Sequence, residues 1–526
     1  MSILICVSTI NATDITDQQT STDIANTQQQ ITGELQEHNN PVKEVKEKTS
    51  INTQHGDKKI TKKDSTVNSY TQLYNKIEEI KTTSTNNEET ITLNPGNYNI
   101  TETINWGNTT HTTKTLTIKA NNITLDGQNQ KQFITITNGY TLNLENIIIQ
   151  NCNSTNGSVI YNNGNVTINN SNFTSNTATT NGGICYNNNT ATMIISNSTF
   201  INNKATNNGG ISVNNGNSTL TINNSNFTNN TARYGGINHN GGIINITDSI
   251  FTLNVAPSGG INYNNRNITI NRSNFTNNKA SNSGGINANY GNLTINNSYF
   301  SDNNATTGGV NSNSKNLIIE NSTFNNNIAS RNGGINNNVG NLTIKNSNFT
   351  NNNATNGGIN YNSNGKIIIE NSTFNNNYAA NGGINVNNGR GNITINNSNF
   401  NNNTANNTAI TLNNNTGSNL NITNSNFTNN TSNNKAGAIY NHGKLTIENS
   451  TFINNIDLIN QTIYTSTNFN IKESNIINNY NEPIIENINT TITSPIRNTK
   501  LNNTEEVTFI IENKTITALK IQQQVK

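Results

Sequence analysis

The stretch Leu220-Thr221-Ile222-Asn-Asn-Ser-Asn-Phe227-Thr-Asn-Asn-Thr-Ala232-Arg-Tyr-Gly235-Gly236-Ile237 recurs, with substitutions, along most of the chain. Its phenylalanine returns at Phe173, Phe200, Phe251, Phe275, Phe300, Phe324, Phe349, Phe374, Phe400, Phe427 and Phe452, at successive spacings of 24 to 27 residues. Gly-Gly pairs follow the same beat from 182/183 to 382/383. Ile148 and Ile476 sit at compatible spacing on either side, giving about 14 units. A fixed period of this size marks a stacked array in which each unit borrows its neighbour's apolar face.

Three apolar clusters recur per unit, here Leu220 with Ile222, then Phe227, then Ile237. The alternation in Leu220-Thr221-Ile222 is that of a strand with one buried face. Leucine-rich repeats need several leucines per unit, and helical repeats need a 3.6-residue period with far less Asn and Gly. The expected fold is therefore all-β, a right-handed parallel β-helix whose units each close one triangular coil. Glycine suits corners that need positive φ or close backbone approach, and asparagine is the side chain that best tolerates the left-handed region. Coils about 4.8 Å apart make a rod roughly 65 Å long for the repeats.

Stacking predicts ladders. Glu320, Lys345 and Glu370 fall four residues before successive phenylalanines and are expected to alternate in charge on the outside. Asn238, Asn262, Asn287, Asn311, Asn336, Asn360 and Asn385 share one register after the glycines. Their amides either bond along the rod or offer a regular hydrogen-bonding face to a glycan.

The bulk numbers agree with a thin core. Of 526 residues, 30% are hydrophobic and 11% charged, too few apolar side chains for a compact globule of this length. A net charge of +2 suggests no nucleic-acid or acidic-substrate partner. Cys6, Cys152 and Cys185 form neither a disulfide framework nor a zinc site, and no run of 18 apolar residues provides a membrane span. Residues 1–10 read as a truncated signal peptide or an apolar terminal patch. Residues 11–66 read as a disordered polar linker, and 67–145 as a capping helix with the first coils. In that helix Tyr70, Leu73, Tyr74, Ile77 and Ile80 share a face, with Asn68 or Ser69 as N-cap. Residues 146–480 hold the repeats, and 481–526 a last coil or truncated domain start.

The unit Phe227-x-x-Asn-x-Ala232 followed by Gly235-Gly236-Ile237 resembles the polymorphic outer membrane protein repeat, and Gly437-Ala438-Ile439 resembles it more closely. The Asn/Thr excess is similar to that of adhesin-like surface proteins of methanogenic archaea. The resemblance implies a β-helical module on the cell envelope, engaged in adhesion. Neither a translocating barrel nor a sandwich or wall-binding module is evident in the sequence.

β-helices also carry polysaccharide lyases and glycoside hydrolases, whose mechanisms need clustered carboxylates. Asp248, Asp302 and Asp457 are widely separated, Asp126 reads as a turn residue, and Glu320 and Glu370 straddle Lys345. His239 and His442 lack neighbouring ligands, and Cys152 and Cys185 fall at different registers. Sequons such as those at Asn172, Asn226, Asn274, Asn321, Asn348 and Asn371 arise readily from this composition. The expectation is a secreted or surface-displayed protein without catalysis, cofactor or metal, binding host or neighbouring-cell glycans or proteins. A pectate-lyase-like enzyme is the alternative.

Overall fold

The computed structural model describes residues 62–107, 114–188, 190–381, 383–458, 462–467 and 469–477, with strand segments 483–487, 490–493 and 499–501. The expectations for residues 1–10 and 11–61, and for 502–526, lie outside the described residues. The rest winds into a parallel β-solenoid of about 16 turns, with one helix among the described residues.

Most turns of the repeat contain four strands, one more than the apolar clusters predict. In the rung around Phe300 they are Leu293–Asn296, Tyr299–Ser301, Asn304–Thr307 and Asn311–Asn313. Each pairs in parallel with its counterpart one rung on, building leucine, phenylalanine, alanine and asparagine sheets. The extra strand escapes the sequence pattern because its single inward apolar residue, Ala305, is small. Inward-facing Leu293, Ile295, Phe300 and Val310 fill the lumen of that rung and are fully buried. The rings from Phe173 to Phe452 stack in one column, centroids 4.6–4.9 Å apart and planes within 10°. That separation is the spacing between hydrogen-bonded strands, so the backbone ladder dictates the ring stack.

Two polar corners frame the phenylalanine strand. At the first, Asn297 takes φ 48° and the buried Ser298 follows. The Ser298 N–H donates to Ser322 Oγ of the next rung at 3.1 Å, while its own Oγ donates to the Asn296 carbonyl at 2.7 Å. At the second, Asp302 takes φ 56° and the buried Asn303 follows. Asn303 Nδ2 donates to Asn327 Oδ1 at 2.9 Å and to the Phe275 carbonyl at 3.0 Å. Its Oδ1 accepts both the N–H and Nδ2 of Asn278. Every hydrogen-bonding position of this buried amide is thereby filled, as a polar group out of contact with water requires. The same arrangement runs from Asn176 to Asn455. The Asn of the Phe-x-x-Asn-x-Ala motif is thus a core residue.

The Gly-Gly corner divides its labour. Gly235 has φ 64°, whereas a Cβ on Gly236 would lie 2.2 Å from the Gly260 carbonyl oxygen of the next rung. The first glycine supplies the left-handed turn and the second lets two rungs touch.

At the N-terminal end β1 (Lys62–Ser69), α1 (Tyr70–Thr83) and β2 (Glu88–Asn97) follow in order. Ser69 is the N-cap, its Oγ accepting from the Gln72 N–H at 3.3 Å. Tyr70, Leu73, Ile77 and Ile80 are buried, and α1 packs against β1, β2 and β3 (Ile104–Trp106), the first strand of the asparagine sheet. The helix thereby covers the apolar end of the first coil. Residues 62–66, read from the sequence as linker, instead belong to β1, which pairs in parallel with β2. Of its described side chains before α1 only Val67 is buried, so backbone pairing places the strand without an apolar pattern to announce it. At the other end Pro483–Asn487 stacks on Ile463–Thr465 and then pairs antiparallel with Thr490–Thr493. Thr499–Leu501 pairs antiparallel with Ser474–Ile477.

Two stability experiments probe this core by chemical denaturation. Phe300→Ala is expected to cost about 3–5 kcal/mol through the cavity it leaves, and Asn303→Ala about 1–3 kcal/mol through stranded partners. Leu253 holds φ 58° and is half exposed, so Leu253→Asn is expected to stabilise by about 1–2 kcal/mol.

Candidate functional site

The Asn-x-Asn strands alternate strictly: both asparagines point inward and the central residue points out. Asn238, Asn262, Asn287, Asn311, Asn336, Asn360 and Asn385 are fully buried, and Nδ2 of each of the first six donates to Oδ1 of the next at 2.7–3.0 Å. This ladder is not a glycan-facing surface; it supports the sheet from inside. The chain bends between Ile237 and Asn238, so both side chains enter the lumen and the alternation must be counted afresh from the asparagine.

The central residues of these three-residue strands make the outer face, with the tyrosines half-buried and Val213 and Val386 buried. Tyr161, Tyr186, Val213, His239 and Tyr263 stack in register over five rungs. Tyr361, Val386, Leu412, Tyr440 and Tyr464 do the same further along. Ala288, Ser312 and Asn337 separate the two runs. Tyr161 and Tyr186 stack at 5.3 Å, His239 and Tyr263 at 5.2 Å, and Tyr440 and Tyr464 at 4.7 Å. The sequence signal for this column is an aromatic or aliphatic residue followed directly by asparagine, as in Tyr186-Asn187, Tyr263-Asn264 and Tyr440-Asn441.

Where small residues replace the aromatics, the face dips into a groove of about 240 Å³. Ala288 and Ser312 lie in it beside Tyr263, with Tyr234 and Tyr290 from the flanking loops. Ser258, Asn282, Ser283 and Ser314 complete the polar rim. Tyr234 packs 5.2 Å from Tyr263, and Tyr290 crosses Tyr263 edge-on at 5.8 Å. Burial, then the contact with Tyr290, pushes the Tyr263 phenol up to about 12, and burial lowers the imidazole of adjoining His239. Both groups are neutral near pH 7.

The loops on this face absorb all variation in rung length. From Phe173 to Phe452 the phenylalanine follows the first core residue of its rung by seven positions, as in Leu220 and Phe227 or Ile367 and Phe374. From Phe173 to Phe400 the strand alanine lies five further on, as in Phe300 and Ala305. The step from phenylalanine to the first glycine is eight or nine residues, and from there to the next phenylalanine 16 to 18. Both adjustable loops border the asparagine sheet.

The acidic residues occupy structural positions. Asp248 sits at a corner with φ 51° and holds Arg272 of the next rung at 2.7 Å. Asp302 takes φ 56°, and the buried Asp457 accepts the Ala436 N–H at 2.8 Å. Burial disfavours the Asp126 charge, but hydrogen bonds from Gln150, the Gln128 N–H and Asn151 outweigh it and hold the carboxyl below its ordinary value. Glu320, Lys345 and Glu370 lie in register, with Lys345 Nζ 3.0 Å from Glu370. The free thiols Cys152 and Cys185 are buried, which raises both. Cys152 opens the corner ladder and Cys185 lies in the asparagine sheet, so they do not meet. Sequon residues Asn172, Asn226, Asn321, Asn348 and Asn371 are exposed, and Asn274 is half-buried.

No family model and no curated protein matches the chain, so the resemblance to the outer membrane protein repeat rests on the residues quoted above. Among solved structures, PfbA, a surface adhesin of Streptococcus pneumoniae, matches at 12% identity and a TM-score of 0.23. The match covers 84% of this chain and 95% of that one. At that TM-score the likeness carries no inference about function. Among the described residues no helix is long and apolar enough to cross a membrane.

The lowered His239 gives a pH test. An unfolded imidazole protonates near pH 6.5 while the folded one resists, so stability is lost as pH falls below about 6.5. The loss stops once the folded imidazole also protonates. His442, lowered by burial and by Lys435, acts in the same direction. Melting temperatures of the wild type and His239→Gln at pH 7.5 and 5.0 are expected to show a smaller acid-induced drop in the variant.

Proposed function

We propose that the chain is a surface-displayed, adhesin-like repeat protein that binds glycans or proteins of host or neighbouring cells and catalyses no reaction. The outward column of the asparagine sheet carries this reading. Tyrosines combine large contact area with a hydroxyl, which suits a wet binding interface. Their repetition along a rigid rod allows several weak contacts to act together, raising avidity without a tight single site. The acids already have structural duties: Asp248 is engaged by Arg272, Glu370 by Lys345 and Asp457 by a backbone N–H. A polysaccharide lyase or hydrolase would draw its acid–base pair from such groups.

The test is binding of the labelled full chain to a glycan array and to intact cells. The combined variant Tyr161→Ser, Tyr186→Ser, Tyr361→Ser, Tyr440→Ser leaves the inward ladders intact. It is expected to melt within a few degrees of the wild type and to lose at least about tenfold in cell binding. Tyr299→Ser, on the outer side of the phenylalanine sheet, is expected to change nothing. Unaltered binding by the four-tyrosine variant, or release of oligosaccharides from an arrayed polysaccharide, would overturn the proposal.

A further inference from the structure

The groove between the two aromatic runs differs from the rest of the face: it is concave, and its chemistry is restricted. We infer that it binds one neutral sugar ring, as a terminal or branch residue of a glycan; this deepens the adhesin reading and rests on it. Its walls are Tyr234, Tyr263 and Tyr290, and Tyr290 is 49% exposed, leaving aromatic surface available to the C–H face of a pyranose. Around them Ser258, Asn282, Ser283 and Ser314 supply hydroxyl and amide groups that both donate and accept. A sugar ring presents the same combination of apolar faces and a belt of hydroxyls.

Charge narrows the class. The lining contains no carboxylate, amine, guanidinium or imidazole; its side chains are phenols, hydroxyls, amides and a methyl. Arg233 lies over the Tyr234 ring at 5.3 Å but is not part of the lining. An acidic sugar, a phosphate or a cation would therefore leave water without a counter-charge. A peptide strand is disfavoured for a separate reason. The strand Asn287–Asn289 beneath the groove is paired on both sides, with Asn262–Asn264 and with Asn311–Asn313, so no sheet edge is free to extend. Size selects a ring over a chain: about 240 Å³ lies below the roughly 300–1,000 Å³ of ordinary small-molecule sites. The hollow exists because Ala288 and Ser312 follow Tyr263 in the column, where other rungs carry a tyrosine, so a single larger side chain would fill it.

The full chain is titrated with glucose, galactose, mannose and N-acetylglucosamine, with glucuronate and sialic acid as acidic controls, by saturation-transfer NMR. At least one neutral sugar is expected to bind in the millimolar range. Tyr290→Ala is expected to weaken it about tenfold, and Ala288→Phe to abolish it with an unchanged melting temperature, since the column accepts aromatics elsewhere. Absence of binding by every neutral sugar, equal binding by both variants, or preference for the acidic sugars overturns the inference. Cell adhesion separates the two proposals. If Ala288→Phe adheres to cells as the wild type does and no sugar binds, the groove assignment fails while the adhesin reading stands. If the wild type binds a neutral sugar but adheres to no cell, the adhesin reading fails and the site remains.

Discussion

Everything in this molecule depends on like meeting like at one strand spacing. Each rung sits directly over the next, so an inward polar side chain finds its partner in its own copy. The column from Asn176 to Asn455 shows the consequence: each amide donates up the rod and accepts from below. A lone buried asparagine costs stability, whereas a series of them satisfies its inner members from its own copies and leaves unpaired groups at its ends, as at Asn238 Oδ1 and Asn385 Nδ2. This is how a chain only 30% hydrophobic maintains an ordered interior. The apolar residues need only fill the lumen, and one phenylalanine and a few aliphatic side chains per rung do so.

The same constraint separates framework from face. Serine, asparagine and glycine corners are committed to the neighbouring rung and have nothing to offer a ligand. What remains is the outer side of each strand, and among the described residues only the asparagine sheet arrays aromatic side chains there in long runs. The seven asparagines of Asn238 to Asn385 and the outward column occupy adjacent positions in the sequence, yet the asparagines are fully buried in the lumen while the tyrosines of the column are half-buried on the outer side of the sheet.

Much of the fold was legible in the sequence because period-2 alternation and the two-dozen-residue beat are both consequences of strand stacking. The phenylalanine column, the glycine corner and the helix from Tyr70 were accessible in this way. Other parts were silent for physical reasons. The alanine strand carries one small apolar residue, too little to register as a cluster. The Ser298 and Asn303 positions look like loop residues because buried polar ladders and exposed turns draw on the same amino acids. The direction of the Asn238 series depended on a bend between Ile237 and Asn238 that alternation does not reveal. The candidate site was hidden for the same reason, since its residues become a face only once those asparagines are known to point inward.

The fixed step from Leu220 to Phe227 and the adjustable loops beside the asparagine sheet have one further implication. An inserted residue between leucine and phenylalanine would throw two polar ladders out of step and propagate its damage along the rod. An inserted residue beside Tyr234 or Tyr290 would only bulge outward. The architecture thus behaves like a printing frame, rigid on three sides, in which the type can be reset along the fourth, one rung at a time, without unlocking the rest.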